Sequence, residues 1–357
     1  MSVFLDTLEG RKVSRRPLWI MRQAGRYLPQ YKATRAKAGN FLALCGNPTL
    51  AAEVTCQPVE LLGVDAAILF SDILLVPQAM GFELKFGEGE GPSFPVTLDP
   101  SKPRWAGDRT FAQGFMPESV SSKLPHVYEA IRLCRARLGA TPLIGFAGSP
   151  WTLFAYLAQG RHEEGFPRAK QLLWQEPAFS KDVLEVLTDA VIEHLSAQAR
   201  AGVQCVQVFD SWGGLLDRAD FRQWSAPYLS RVAMALEELG VPVIMYCKGG
   251  EGAFEDLLPN PARCLGVDWT VDMGRARSKA GPRRILMGNV DPLVLTMDEG
   301  TARRKLRECL QAHGREGGHI LNLGHGITPE ASPELVKKFV LWAREEGERL
   351  MQNSQGA

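Results

Sequence analysis

The hydrophobic pattern of the chain calls for an α/β fold, a single distorted (β/α)8 barrel of the TIM type, and three observations carry that reading. Eight short, near-continuous apolar runs recur along 357 residues, as strands buried on both faces require. Amphipathic stretches of helical period follow most of them, the alternation that builds parallel sheets. Polar residues able to do chemistry gather where the runs end, the face on which such barrels carry their sites. A doubly wound open sheet fits the same alternation and stands as the alternative.

The first run is Leu18–Met21, and it passes straight into Met21–Tyr31, which holds Arg22 and Arg26. A guanidinium fork suits a carboxylate or phosphate, so the pair reads as an anion clamp or, more plainly, as two solvated arginines. An amphipathic helix over Pro48–Leu62 leads to the second run, Ala66–Phe70, which continues into Ser71 and Asp72. Gly81–Trp105 is rich in glycine and proline and reads as an irregular or hairpin insertion. The Pro125–Leu138 helix precedes the third run, Leu143–Phe146, which is followed by Gly148 and Ser149.

Ser149-Pro150 places a capping hydroxyl before a proline at the first helical position, and Tyr156 falls about two turns into that helix. Ala178–Ala201 leads to the fourth run, Val203–Phe209, which ends in Asp210 and Ser211. The Phe221–Leu239 helix precedes the fifth run, Val243–Cys247, and Lys248 follows it. A short connection joins the sixth run, Leu265–Trp269, to the seventh, Ile285–Gly288, after which stand Asn289 and Asp291. His325 follows the eighth run, His319–Leu323, and Thr328-Pro329 repeats the capping signal for a last helix over Pro329–Leu350. Residues 1–350 thus read as one barrel domain and 351–357 as a polar, frayed tail.

Composition excludes several function classes. The net charge is +1 and no lysine/arginine block stands out, so neither a nucleic-acid arm nor a membrane-binding tail is expected. No apolar run reaches membrane-spanning length. The first residues, Met-Ser-Val-Phe-Leu-Asp, are too short and acidic for a signal peptide. Seven cysteines, Cys45, Cys56, Cys134, Cys205, Cys247, Cys264 and Cys309, are odd in number and never spaced C-x-x-C. They read as reduced thiols of a cytoplasmic enzyme. The six histidines form no H-E-x-x-H pair. Gly87–Gly91 is glycine-rich, but its glutamates would repel phosphate and no strand-to-helix turn frames it. Neither a metal nor a nucleotide cofactor is expected.

Individual residues carry two readings each. Asp72, flanked by apolar residues on both sides, is either a helix cap or a carboxylate held in low dielectric, where it would stabilise a cation. His325 between two glycines is either a plain loop residue or a donor to an anion. Ser211 has no G-x-S-x-G frame, which favours hydrogen bonding over nucleophilic attack. Tyr156 is core packing or a polar handle on the site. Cys247 stands at a strand end without a companion ligand in sequence, and packing is its better reading.

Four motifs occur in order: Arg22-Gln-Ala-Gly-Arg26-Tyr-Leu-Pro29, Phe70-Ser-Asp-Ile-Leu74, Gly145-Phe-Ala-Gly-Ser-Pro-Trp-Thr-Leu153 and Asn322-Leu-Gly-His-Gly326. Together they resemble the uroporphyrinogen decarboxylase family, from about Phe4 to Ala343. The resemblance implies a cofactor-free and metal-free conversion of the four acetate arms of uroporphyrinogen III to methyls, giving coproporphyrinogen III. It also implies a homodimeric barrel. Carried over by position, it assigns Arg22, Arg26, Asp72, Tyr156, Ser211 and His325 to substrate binding, with Asp72 and Arg22 in the chemistry. Asp210-Ser-Trp-Gly-Gly214 departs in wording from some members and leaves that wall of the site open. Two other readings remain beside it. A zinc-dependent corrinoid-protein methyltransferase of the same superfamily would need a His-x-Cys pair, where this chain has Met245 before Cys247. A catalytically inactive porphyrin-binding protein would be expected to lack Asp72 or the arginines, which are present.

Overall fold

The computed structural model describes residues 2–87, 91–101 and 118–352. Its strands are β1 (Ala67–Ile68), β2 (Lys85–Gly87), β3 (Gly91–Ser93), β4 (Leu143–Gly148), β5 (Cys205–Asp210), β6 (Val243–Cys247), β7 (Cys264–Gly266), β8 (Ile285–Met287) and β9 (His319–Ile320). β2 and β3 form an antiparallel hairpin, and the other seven make one parallel sheet in the order β1-β4-β5-β6-β7-β8-β9. The insertion expected between Gly81 and Trp105 is therefore a hairpin in its described part; residues 88–90 and 102–105 lie outside the described residues.

The run Leu18–Met21 is not a regular strand. Leu18 makes only a lone parallel bridge to Leu321. Its backbone nonetheless joins both edges of the sheet. Leu321 N–H donates to Pro17 O at 2.8 Å and Asp65 N–H donates to Leu18 O at 2.8 Å. The remaining rungs are supplied by side chains. Asp65 accepts from Leu18 N–H at 2.8 Å, and Gln23 accepts from Ile20 N–H at 3.1 Å while donating to Ala66 O at 3.0 Å. Pro17 has no N–H to offer a ladder, so side-chain amide and carboxylate groups complete what the backbone cannot. This irregular eighth stave is where the barrel is distorted.

Pleat periodicity sorts the side chains into two layers. Trp19, Met21, Ile68, Ile144, Cys205, Ile244, Tyr246, Cys264, Ile285, Met287 and Ile320 form one buried cluster inside the barrel. Phe4 and Leu8 of the Val3–Leu8 helix join it, at the end where the strands begin. The alternate residues, among them Val206, Val208, Val243 and Met245, pack outward against the helices.

Two helices, Pro48–Leu62 and Pro125–Leu138, have the boundaries their sequence pattern implies. Two others differ for local reasons. The stretch Phe221–Leu239 is two helices, Arg218–Trp224 and Ala226–Glu238. Ser225 breaks them, donating to Asp210 Oδ2 at 2.6 Å, and Pro227 starts the second. The last helix begins at Pro333 and ends at Gln352. Thr328-Pro329 instead sits in a turn anchored by Ile327 N–H to Met21 O at 2.9 Å. Ser332-Pro333 is the working cap, with Ser332 Oγ accepting from Leu335 N–H at 3.3 Å. Residues 353–357 of the expected tail lie outside the described residues.

Candidate active site

Rings from successive staves line the mouth of the barrel where the strands end. Phe146 meets Phe209 at 5.7 Å between centroids, and Phe209 meets Tyr246 at 6.0 Å. Tyr246 and the His325 ring are near-parallel at 6.3 Å, and His325 stacks on Trp269 at 5.7 Å. Tyr31, Phe41 and Phe70 make a second ring group beside Asp72, with centroid separations of 5.7 and 5.8 Å around Phe70. Such a surface excludes water from one side of any charge above it and strengthens the field of that charge.

Asp72 is half-buried and caps the turn before the short Leu75–Ala79 helix, accepting from Leu74 N–H at 2.8 Å. The carboxylate closes a turn ahead of the helix rather than capping it, since Leu74 holds the N-cap position. Burial pushes its carboxyl up to about 6, against the opposing pull of the Leu74 N–H and of Arg22. Arg22 is exposed and occupies the left-handed region at φ 63, in the turn closed by Gln23 N–H to Ile20 O at 2.9 Å. That conformation costs a non-glycine residue roughly 1 kcal/mol or more. It aims the guanidinium over the mouth: the charge of Arg22 reaches Asp72, Tyr156 and His325 alike.

Tyr156 is buried on the Pro150–Gln159 helix, whose cap Ser149 Oγ accepts from Thr152 N–H at 2.9 Å as its sequence implies. Its phenol is pushed up to about 12 by burial, and its ring meets Phe166 at 5.4 Å and Trp212 at 6.3 Å. His325 is half-buried. Burial, then Arg22, then Lys248 hold its pKa down to about 3, so the imidazole is neutral. Tyr246 donates its hydroxyl hydrogen to Gly324 O at 2.8 Å and stands 3.2 Å from His325 Nδ1. This pattern assigns the imidazole proton to Nδ1 and leaves Nε2 as an acceptor. Arg22, Asp72, Tyr156 and His325 thus form one electrostatic group. Ser211 stands to the side, lining a cavity with Trp212 and Lys248, and Arg26 is exposed near Tyr31.

Other strand-end polar residues turn out to hold the frame. Asp210 is fully buried; its oxygens accept from Ser149 Oγ at 2.7 Å, Thr152 Oγ1 at 3.0 Å and Ser225 Oγ at 2.6 Å. It ties the caps of two helices to one strand end. Cys247 is buried against the same carboxylate at 3.8 Å, and burial followed by Asp210 raises its thiol well above the ordinary range. Asn289 spends its amide on Asp268 O and Val271 O at 2.9 and 2.7 Å, and Asp291 caps the turn at Leu293 N–H at 2.9 Å. All seven cysteines are free and buried. Among the described residues no helix is long and apolar enough to cross a membrane.

Comparison with known proteins bears on the chain as a whole. The family model for uroporphyrinogen decarboxylase (URO-D) matches residues 1–346. Uroporphyrinogen decarboxylases of Cellvibrio japonicus and Nitrosococcus oceani are each 45% identical over 342 residues, spanning 94% of this chain and 94% of theirs. Among solved structures, a methyltransferase from Methanosarcina mazei superposes with a TM-score of 0.78 at 22% identity, covering 96% of this chain and 97% of its own. A B12-independent methionine synthase from Shewanella sp. W3-18-1 follows at TM-score 0.53 and 12% identity, covering 96% of each chain. At those identities the structures share the fold and no more. The full-length family match and the close relatives place the chain by its sequence, and it belongs to the uroporphyrinogen decarboxylase family.

Proposed function

We propose that the group around Asp72 decarboxylates the acetate arms of uroporphyrinogen III by using the substrate's own pyrrole as the electron sink. Losing carbon dioxide from an acetate leaves an electron pair that needs somewhere to go, and many decarboxylases place it on a cofactor. Protonation of the ring carbon adjacent to the one bearing the arm gives a cationic ring instead. The carbon–carboxylate bond then breaks, its pair enters the ring, and an exocyclic methylene forms. A second proton converts that methylene to a methyl as the ring carbon gives up the first. Each cycle consumes one proton and releases one carbon dioxide.

The observation that carries this reading is the half-buried Asp72 carboxylate beside ring-lined walls, facing the charge of Arg22. An anion in such a place stabilises a cationic pyrrole far better than water does. Its pKa of about 6 keeps it mostly ionised at neutral pH. Arg22 and Arg26 pair with carboxylate arms, and Ser211 and the Tyr156 hydroxyl hydrogen-bond to the substrate. Neutral His325 offers Nε2 to a substrate N–H or acid O–H. Arg22 is a very poor acid, so its part in the chemistry is to hold the arm and the field, with the proton supplied through the substrate's surroundings. Residues 1–350 act as one barrel domain, in the cytoplasm and as a homodimer, in keeping with the family. Anaerobic incubation with uroporphyrinogen, followed by separation of products by carboxylate number, tests the function. Stepwise conversion from eight to four carboxylates is expected, and unchanged octacarboxylate would refute it. Sedimentation of the purified protein tests the dimer.

A further inference from the structure

We infer that Lys248 is a further substrate-binding residue, one that holds a carboxylate arm of the tetrapyrrole other than the arm that reacts. This rests on the decarboxylase reading above and extends it to a subsite. Lys248 directly follows β6, so its side chain starts at the same end of the barrel as Asp72 and His325. Its Nζ lies 5.7 Å from the Trp212 ring centroid and 5.6 Å from that of Trp269. The ammonium is thus held between two indole faces, a placement that fixes a cation while leaving its N–H donors unspent. No carboxylate among the described residues lies within ion-pairing distance of it.

The surroundings form a receptacle. A cavity of about 320 Å³ is lined by Ser211, Trp212, Lys248, Asp268 and Trp269. Asp268 is the acidic member, and its Oδ1 is engaged by Thr270 N–H at 2.7 Å and Thr270 Oγ1 at 2.6 Å. The cavity wall is rigid because two backbones meet there. Lys248 N–H donates to Asp210 O at 3.1 Å and Gly214 N–H donates to Lys248 O at 3.0 Å. A Cβ on Gly249 would stand 2.6 Å from Gly214 Cα, so the approach is open to glycine alone. Trp269 carries the cavity across to the catalytic group by stacking on His325, and the charge of Lys248 reaches that imidazole. A flat macrocycle bearing eight carboxylates and seated over Asp72 presents arms well beyond the reach of Arg22. The indole-clamped ammonium, next to Ser211, is placed to take one.

Lys248→Met tests this, because it keeps the aliphatic stem against the indoles and removes only the charge. Turnover of uroporphyrinogen should show KM raised about tenfold or more with kcat within about threefold, as loss of a charge-assisted contact implies. Added salt should then weaken binding less steeply than in the wild type. Lys248→Arg should recover most of the affinity, which a packing role would not require. Titration with the oxidised octacarboxylate uroporphyrin supplies a readout free of catalysis, with Kd expected to rise by a similar factor in Lys248→Met. An inactive wild type would count against the decarboxylase reading alone. Equal uroporphyrin Kd values for wild type and Lys248→Met would overturn the subsite.

Discussion

Arg22 lies across the face of Gly326. A Cβ built on Gly326 would stand 2.7 Å from Arg22 Cγ and nearer still to Cδ, so the guanidinium stem uses the space a side chain would fill. The loop that carries His325 therefore also sets the path of Arg22, although 304 positions separate Arg22 from Gly326 in the numbering (326 − 22). Gly326→Ala should fold, because the obstructing atoms belong to a flexible side chain. It should displace Arg22 and lower kcat/KM by about tenfold, the scale of a misplaced charged contact. Steady-state kinetics alongside a melting curve checks this. An unchanged kcat/KM would show that the position of Arg22 is immaterial.

Asp72→Asn separates function from stability. Removing one preorganised electrostatic contact typically costs about 10²–10³ in rate, and the amide keeps the shape and the acceptor for Leu74 N–H. Stability moves the other way. The folded pKa of about 6 lies above the ordinary carboxylate value. At about pH 4 and below, the group is largely neutral in the folded state and little is lost. As pH rises through 6 the folded chain carries a disfavoured anion, which lowers stability by on the order of 2 kcal/mol. The asparagine form should melt higher than wild type at about pH 7.5 and match it near pH 4. The wild-type kcat/KM should rise with pH through about 6, and that rise should be absent from the mutant's residual activity. Turnover by Asp72→Asn within about threefold of wild type would remove this carboxylate from the centre of the mechanism.

Arg22 combines a strained backbone with a functional side chain. Arg22→Gly should relieve the left-handed strain and stabilise the fold by roughly 1 kcal/mol while abolishing the arm contact. Arg22→Lys and Arg26→Lys keep the charge but lose the planar fork, and kcat/KM should fall by about tenfold or more in each. Kinetics of the four proteins in parallel decide the point. Lysine forms as active as wild type would mean that charge alone suffices.

How far the sequence foretells this arrangement depends on whether a signal is local. Val243–Cys247 matches its strand residue for residue because the run is bounded by Pro242 and Lys248 and buried on both faces. Ser149-Pro150 acts as written because cap and proline are both local. Leu18–Met21 fails as a strand because Pro17, Asp65 and Gln23 decide its pairing, and all three lie outside the run. Two hydroxyl–proline pairs compete for the start of the last helix, and tertiary anchoring of Ile327 to Met21 selects the second. Asp210 carries the same strand-end signature as Asp72, yet three hydroxyls absorb it. The neutral state of His325 and the indole clamp on Lys248 arise from rings brought together by distant staves, which no local pattern records.

Buried neutral histidines predict an acid limit to stability. His194, His313 and His319 are each buried, and desolvation is the largest cause of lowered pKa in all three. For His194 and His313 the value falls to about 3; for His319 it falls well below the ordinary one. The hydrogen bonds fix uncharged tautomers. His313 Nδ1 gives its hydrogen to Gly314 O at 3.2 Å, and Nε2 accepts from Arg277 Nη1 at 3.1 Å. His319 stacks on it at 4.1 Å and donates from Nε2 to Gly288 O at 2.7 Å. Buried Arg16 and half-buried Arg277 face this pair, and His126 adds to the depression of His194. A folded pKa below the unfolded one means that stability is complete above about pH 6.5 and is lost as pH falls towards the folded value. Each histidine contributes a slope of up to about 1.4 kcal/mol per pH unit, so the three together reach roughly 4. The urea midpoint should therefore drop steeply between about pH 6.5 and 5, offset in part by the opposite trend of Asp72. His313→Gln keeps an acceptor for Arg277 and cannot protonate, and it should remove about a third of that slope. If its midpoint falls with pH as steeply as that of wild type, the acid sensitivity lies elsewhere.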